Sequence, residues 1–139
     1  MRDMDLADAR SFLAEHHRSV LCTTRADGRP QMSPVVHAVF DDGSVGISTR
    51  EPAMKVHNLR HHPRASLIAL PDGFFGPWVQ VDGAASIVSL PAAMESLVGI
   101  YRRVSGEHPD WDEFRAAMER DRRVVIRIDI EHAGPDRSG

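Results

Sequence analysis

The sequence predicts an α+β domain built on an antiparallel β-barrel, with helices at the connections between strands. Three observations carry this. Near the start, short β-branched runs are joined by Asp-Gly turns into a three-strand meander. Further on, helical stretches opened by proline separate the remaining strand-like runs. Nowhere do strands and helices alternate in the βαβ rhythm of a parallel sheet. At 139 residues the chain suits one hydrophobic core better than two, so 1–139 is expected to be a single domain.

The elements follow in order. Within 1–18, "DLADARSFLAEHHR" puts Leu6, Ala9, Phe12 and Leu13 at helical spacing, with Asp5 available as a cap. "SVLCTT" is a short apolar strand, and "ADGR" turns it back. "PQMSPVVHAVF" is a long strand in which Pro34 demands an edge position or a bulge. "DDGS" turns again into "VGIST". Pro52 is placed at the opening of a helix that runs to about His62, and Pro63 stops it. "RASLIAL" is a buried strand and "PDGFFGP" a loop. In "WVQVDGAASIVSL" a long strand carries Gly83, which suggests a bulge or a close backbone approach. After Pro91, Met94, Leu97, Val98 and Tyr101 form an apolar helical stripe, and Pro109 leads into a second short helix. "RRVVIRIDI" alternates as a closing strand, leaving 131–139 as a short tail.

Composition excludes several classes. A net charge of −3 argues against general nucleic-acid binding, which needs a basic excess. The single Cys22 excludes an internal disulfide and a cysteine-cluster metal site, and its apolar run suggests a core position. No apolar stretch follows the first Arg as a secretory signal would require, and none approaches a membrane span. A cytoplasmic location without membrane partners is the expectation.

Lys55 is the anomaly. It is the only lysine among 17 Lys and Arg residues, and it falls in the first turn of the expected helix. A cation there is unfavourable by roughly 0.3–1 kcal/mol if exposed, because it sits at the positive end of the helix dipole. Arg50 lies just ahead of it, behind the hydroxyls of Ser48 and Thr49. Hydroxyls, a helix N-terminus and two cations describe an anion site, most commonly a phosphate site. The alternative is that Glu51 neutralises Lys55 on a solvated face. These residues alone leave both open.

Other candidates are weaker. His57 and His61 are spaced i,i+4 as zinc ligands can be, but the companion glutamate of the zinc-protease motif is absent. Asp110, Asp112 and Glu113 suit the first turn of a helix. His37 can face pocket or solvent by alternation alone. Phe74, Phe75 and Trp78 suit core or interface better than a substrate platform, with Trp78 the stronger candidate for both.

Four segments in succession carry a resemblance: "LCTTRADGRPQMSPV", "ISTREPAMKVHNLRHHPRASLI", "WVQVDGAASIV" and "IYRRVSGEHPDWDEFRAAMERDRRVVIRIDI". From about Val20 to Ile130 the chain resembles the pyridoxamine 5'-phosphate oxidase-like, or flavin-reductase-like, split β-barrel family. It is most similar to the small oxidoreductases that use the deazaflavin coenzyme F420. The resemblance implies a homodimer with cofactor sites at the subunit interface, F420 as cofactor with FMN as the alternative, and a small conjugated organic substrate. A non-catalytic carrier of the same cofactor is a third reading.

The resemblance also assigns roles. The lysine matching Lys55 contacts the cofactor phosphate, and the residues matching Ser48 and Thr49 lie along the ribityl-phosphate stretch. The strand matching Gln31, Met32, Ser33 and Pro34 runs beside the tricyclic ring and offers backbone groups to its edge. Trp78 matches a position supplied by the partner subunit. Some relatives carry a second basic residue where this chain has Ala53, a contact that Arg50 could replace. Some have a polar residue at Pro34. A basic patch reaching through Arg60 or Arg64 would favour F420, whose tail is anionic.

Overall fold

The structure is a computed structural model that describes residues 4–135. Among these the order is α1 (Leu6–Glu15), β1 (Arg18–Thr24), β2 (Pro30–Val39), β3 (Val45–Arg50), α2 (Met54–His61), β4 (Arg64–Leu70), β5 (Val79–Val88), α3 (Met94–Ser105), α4 (Trp111–Arg120) and β6 (Arg123–Ala133). The strands close an antiparallel barrel in the order β1-β2-β3-β6-β5-β4. The expected meander is its first half.

Local chemistry explains the turns. Gly28 and Gly43 occupy the positive-φ positions of the two Asp-Gly turns, at 90° and 86°. Beside them Asp27 accepts from the Arg29 amide at 3.0 Å, and Asp42 from the Ser44 amide at 2.9 Å. Asp5 caps α1 through the Ala7 amide at 2.7 Å. Asp110 caps α4 through the Glu113 amide at 3.1 Å, which gives that acidic cluster its structural role.

The barrel interior is apolar. Leu21, Ile47, Leu67, Val81, Ile126 and Ile128 fill it, joined by Ala9 and Leu13 of α1. On the outer wall, Leu97, Val98 and Ile100 of α3 and Phe114 of α4 cover Ala38 of β2 and Val125 of β6. At Gly83 the β5–β6 register shifts, and an added Cβ would stand 2.0 Å from the Asp129 carbonyl oxygen. That position is both the bulge and the close approach that the sequence suggested.

Some boundaries differ from expectation. The second helix starts at Met54 with Ala53 as its N-cap, so Pro52 lies in the preceding turn and Lys55 is the second helical residue. The first helix ends at Glu15, and Arg18 already belongs to β1. β6 runs on to Ala133, into the stretch expected as a tail, because His132 still pairs with Asp82 and Ala133 with Val81. Residues 136–139 of that stretch, and 1–3 of the N-terminal one, lie outside the described residues. Cys22 is half-exposed rather than in the core. Ser19, Leu21 and Thr23 take the buried face of β1, and alternation turns Cys22 outward.

Candidate functional site

The barrel is closed in topology but open along part of one seam. β2 pairs with β3 only from His37 to Val39, against Val45 to Ile47. From Pro30 to Val36 it pairs with β1 alone, and Ser48 to Arg50 of β3 pair with β6 alone. Two strand edges therefore face each other across a split. Backbone alternation says which groups they present. The His37 amide donates to the His17 carbonyl, on the β1 side, so Ser33 and Val35 also bond toward β1. Met32, Pro34 and Val36 then turn their backbone groups to the split. On the other lip the Glu51 amide donates to the Arg122 carbonyl, which leaves Ser48 and Arg50 facing the split. Pro34 occupies a position where a missing N–H costs β1 nothing and gives a closed ladder nothing to use.

The start of α2 lies at the end of the split. Ala53 offers no side chain to cap it, so the Met54 and Lys55 amides lack the partner that a Ser or Asp would supply, while the Val56 amide donates to the Ala53 carbonyl at 3.0 Å. Lys55 stands in that turn. Glu51 does not neutralise it: that carboxylate is gripped by both terminal nitrogens of Arg60, one of them at 3.1 Å. Among the described residues no carboxylate pairs with Lys55 or with Arg50, which is exposed on the outer side of β3. Of the two readings of Lys55, the neutralised one fails.

Inside the same end of the barrel the lining turns polar. Asn58, one turn after Lys55, is buried and donates from Nδ2 to Thr23 Oγ1 at 3.1 Å. Thr23 donates to Gln31 Oε1 at 3.3 Å. This chain ties α2 to β1 and then to the β2 lip. Sequence reasoning missed Asn58 and Thr23 as members of the site. The available signal was a polar residue three positions after Lys55, on the same helix face. Ser33 Oγ is buried with no partner among the described residues. Thr49 is buried on the opposite lip.

His37 is neither in the pocket nor in solvent. It is fully buried, with Nε2 2.9 Å from the Leu13 carbonyl and Nδ1 2.8 Å from Ser19 Oγ. Burial, chiefly, pushes its imidazole down to about 4. A neutral ring donating from Nε2 and accepting at Nδ1 satisfies both contacts.

Gln31, Met32, Ser33 and Pro34 lie on one lip of the split, Ser48, Thr49 and Arg50 on the other, and Lys55 in the first turn of α2. Trp78 is not among them. It precedes Val79, which is level with Val35 of β2 through Ala69 and Ser19, but β4 and β1 lie between them. On the other side the Ser48 lip is level, through Val125, with Val88 at the far end of β5. Arg60 and Arg64 are both engaged, Arg60 with Glu51 and Arg64 with Glu131 at 2.6 Å. The His61 Nδ1 lies 2.9 Å from the His57 carbonyl, so one ring nitrogen is already used within α2. No helix among the described residues is long and apolar enough to cross a membrane.

An α+β barrel with a seam open beside an uncapped helix start defines a split-barrel protein. The chain belongs to the pyridoxamine 5'-phosphate oxidase family, whose model matches residues 6–134. It is similar to a conserved hypothetical protein of Mycobacterium tuberculosis, with 26% identity, a TM-score of 0.77, and coverage of 94% of this chain and 82% of the other. It also shares its fold with a protein named F420 reductase, at 20% identity, a TM-score of 0.70 and coverage of 90% and 94%. General stress protein 26 of Bacillus anthracis is a third such structure, at 17% identity, a TM-score of 0.64 and coverage of 94% and 92%.

Proposed function

We propose that the chain is a homodimeric oxidoreductase that binds coenzyme F420 in the split and passes a hydride between it and a small conjugated organic molecule. The observation that carries this is Lys55: a cation without a carboxylate, at an uncapped helix start, at the end of two unpaired strand edges. An anionic phosphate is the partner that offsets the first two features, and the polar edge of the ring is the partner for the third. Lys55 and the first-turn amides of α2 would hold it, with Ser48, Thr49 and Arg50 beside the adjoining chain of hydroxyls. Backbone groups of Met32, Pro34 and Val36 would meet the polar edge of the ring. Ala53 and Pro34 then cost one side-chain contact each, and leave the backbone contacts intact.

Hydride donation is chemistry that a reduced deazaflavin supplies when bound. The chain's own task is orientation and exclusion of water. Met32, Pro34 and Val36 give the ring an apolar wall, and the Asn58–Thr23–Gln31 chain holds that wall at a fixed spacing from Lys55.

The dimer rests on exposed apolar surface. Among the described residues the large exposed apolar side chains are Met32, Val36, Met54, Phe74 and Phe75, of which Met32 is 64% and Phe75 87% exposed. Met32 and Val36 lie on the outer wall of β2, continuous with Val20, Cys22 and Ile68 of β1 and β4. A second copy would cover this wall and bring its Trp78 to the split that its own chain leaves without one. Mixed dimers test this arrangement. Pairing a Lys55→Ala chain with a Trp78→Ala chain should leave one intact site in two, and a mixed dimer with no intact site would refute it.

Titration of the purified protein with F420 and with FMN in parallel, followed by fluorescence, tests the cofactor. Preferential F420 binding that weakens with salt is the expected result. Preference for FMN would keep the site and change the chemistry to that of an FMN oxidoreductase. Tight binding without turnover of any offered acceptor would favour the carrier reading. Binding of neither would remove the proposal.

A further inference from the structure

Two clefts meet where β5 ends and β6 begins. One, of about 470 Å³, is lined by Leu90, Pro91, Met94, Arg115 and Glu119. The other, of about 230 Å³, has Glu51, Ser89, Arg122 and Arg123 among its walls. Leu90 and Glu119 line both, so the two form one groove with Glu119 at its middle. At one end of the groove the cations lack acceptors. Arg123 stands directly opposite Arg50 across β6 and β3, a pairing of like charges that costs stability. Its Nε is buried without a hydrogen-bond partner, and the Asp121 carboxylate is 3.9 Å from it, beyond hydrogen-bond reach. The Arg122 side chain makes no hydrogen bond or ion pair among the described residues. Glu51 is already held by Arg60, and Arg115 by Glu95 at 3.0 Å. Glu119 is exposed and in no ion pair among the described residues. At the other end Leu90 and Met94 are half-buried and Pro91 is exposed.

We propose that this groove binds an α-amino acid with a large apolar side chain, at a site separate from the split. The ligand carboxylate accepts from the Arg122 and Arg123 guanidiniums, its α-ammonium donates to Glu119, and its side chain rests on Leu90, Pro91 and Met94. Cation, carboxylate and apolar surface follow one another along the groove. The complementary groups follow one another in the same order along such an amino acid. A simple organic acid would set its charge beside Glu119 with nothing to offer that carboxylate. A simple amine would leave the two arginines without an acceptor. The zwitterion satisfies both, and the apolar side chain covers the rest of the groove.

Calorimetric titration of the full chain tests this with L-leucine, L-phenylalanine, phenylalanine amide and 3-phenylpropionate. The parent protein should bind at least one of the two amino acids. The amide lacks the carboxylate and phenylpropionate lacks the ammonium, so each should bind about tenfold more weakly than phenylalanine, the loss of a charge-assisted hydrogen bond. Arg122 has a φ of 53°, which asparagine tolerates, so Arg122→Asn should keep the parent melting temperature. It should weaken amino-acid binding about tenfold, again by one charge-assisted hydrogen bond. Glu119→Gln should abolish the preference for phenylalanine over phenylpropionate, which general damage to the groove would not do. Failure of the parent to bind either amino acid would overturn the proposal. So would equal affinity for phenylalanine, its amide and phenylpropionate, or unchanged amino-acid affinity in both variants.

Discussion

The two ends of β2 treat buried polar groups in opposite ways. At the C-terminal end the strand is paired on both sides, and the fully buried His37 has a partner for each ring nitrogen. At the N-terminal end one edge is unpaired, Ser33 Oγ has no partner, and Lys55 at the neighbouring helix start has no carboxylate. Leaving buried polar groups unsatisfied costs stability, of order 1–3 kcal/mol per group. The fold satisfies such groups at the closed end and leaves them unpaired along the split, where the proposed cofactor would complete them. A residue's identity does not separate the two cases: a histidine that could have faced a pocket is structural, whereas a lone lysine that could have been paired on the surface has no carboxylate partner among the described residues.

The largest expected effect lies at the closed end. The His37 imidazole titrates near 4 in the folded protein and near 6.5 when unfolded, so between those values the unfolded chain binds more protons. Stability is therefore complete above about pH 6.5 and falls as the pH drops toward 4, by about 3 kcal/mol. Thermal melts across this range should show that loss. A His37→Gln variant, whatever its stability at pH 7, should lack most of this slope, and an unchanged slope would remove His37 as its source.

At the open end the signs reverse. Lys55→Ala should weaken F420 or FMN by about 1.5–3 kcal/mol, the value of a hydrogen bond to a charged group. Its melting temperature without cofactor should stay the same or rise slightly, because a cation leaves a helix N-terminus. Equal affinities in titration would sink the phosphate assignment. A smaller and sharper test is Ala53→Asp. It supplies the missing cap and should stabilise the cofactor-free protein by about 1 kcal/mol. The same carboxylate occupies the anion's place, so cofactor affinity should fall. If stability and affinity rise together, the open cap is not a binding device.

Much of the fold was legible in the sequence because its signals are local. Asp-Gly turns, the Asp5 cap and the constraint at Gly83 each depend on a few neighbouring atoms, and all appear where expected, whereas Asp110, expected in the first turn of its helix, is the N-cap. Lys55 stood out for the same reason, since a helix start is a local feature. The split did not, because it depends on where two strands stop pairing, and only the proline at position 34 hinted at an edge. The Asn58–Thr23–Gln31 chain joins residues far apart in sequence, and the engagement of Arg60 and Arg64 depends on carboxylates brought in by the turn before α2 and by β6. Alternation in "SVLCTT" was hidden because its outward residues are not strongly polar, and so Cys22 was assigned to the core.

Amide hydrogen exchange along β2 measures the split directly. In the cofactor-free protein the amides of Ser33, Val35 and His37, bonded toward β1, should exchange slowly. Those of Met32 and Val36, turned to the open seam, should exchange fast. Adding F420 should slow the fast pair and leave the slow set as it was. Uniform protection from Gln31 to Val39 before any cofactor is added would mean that the seam is closed, and would contradict the account.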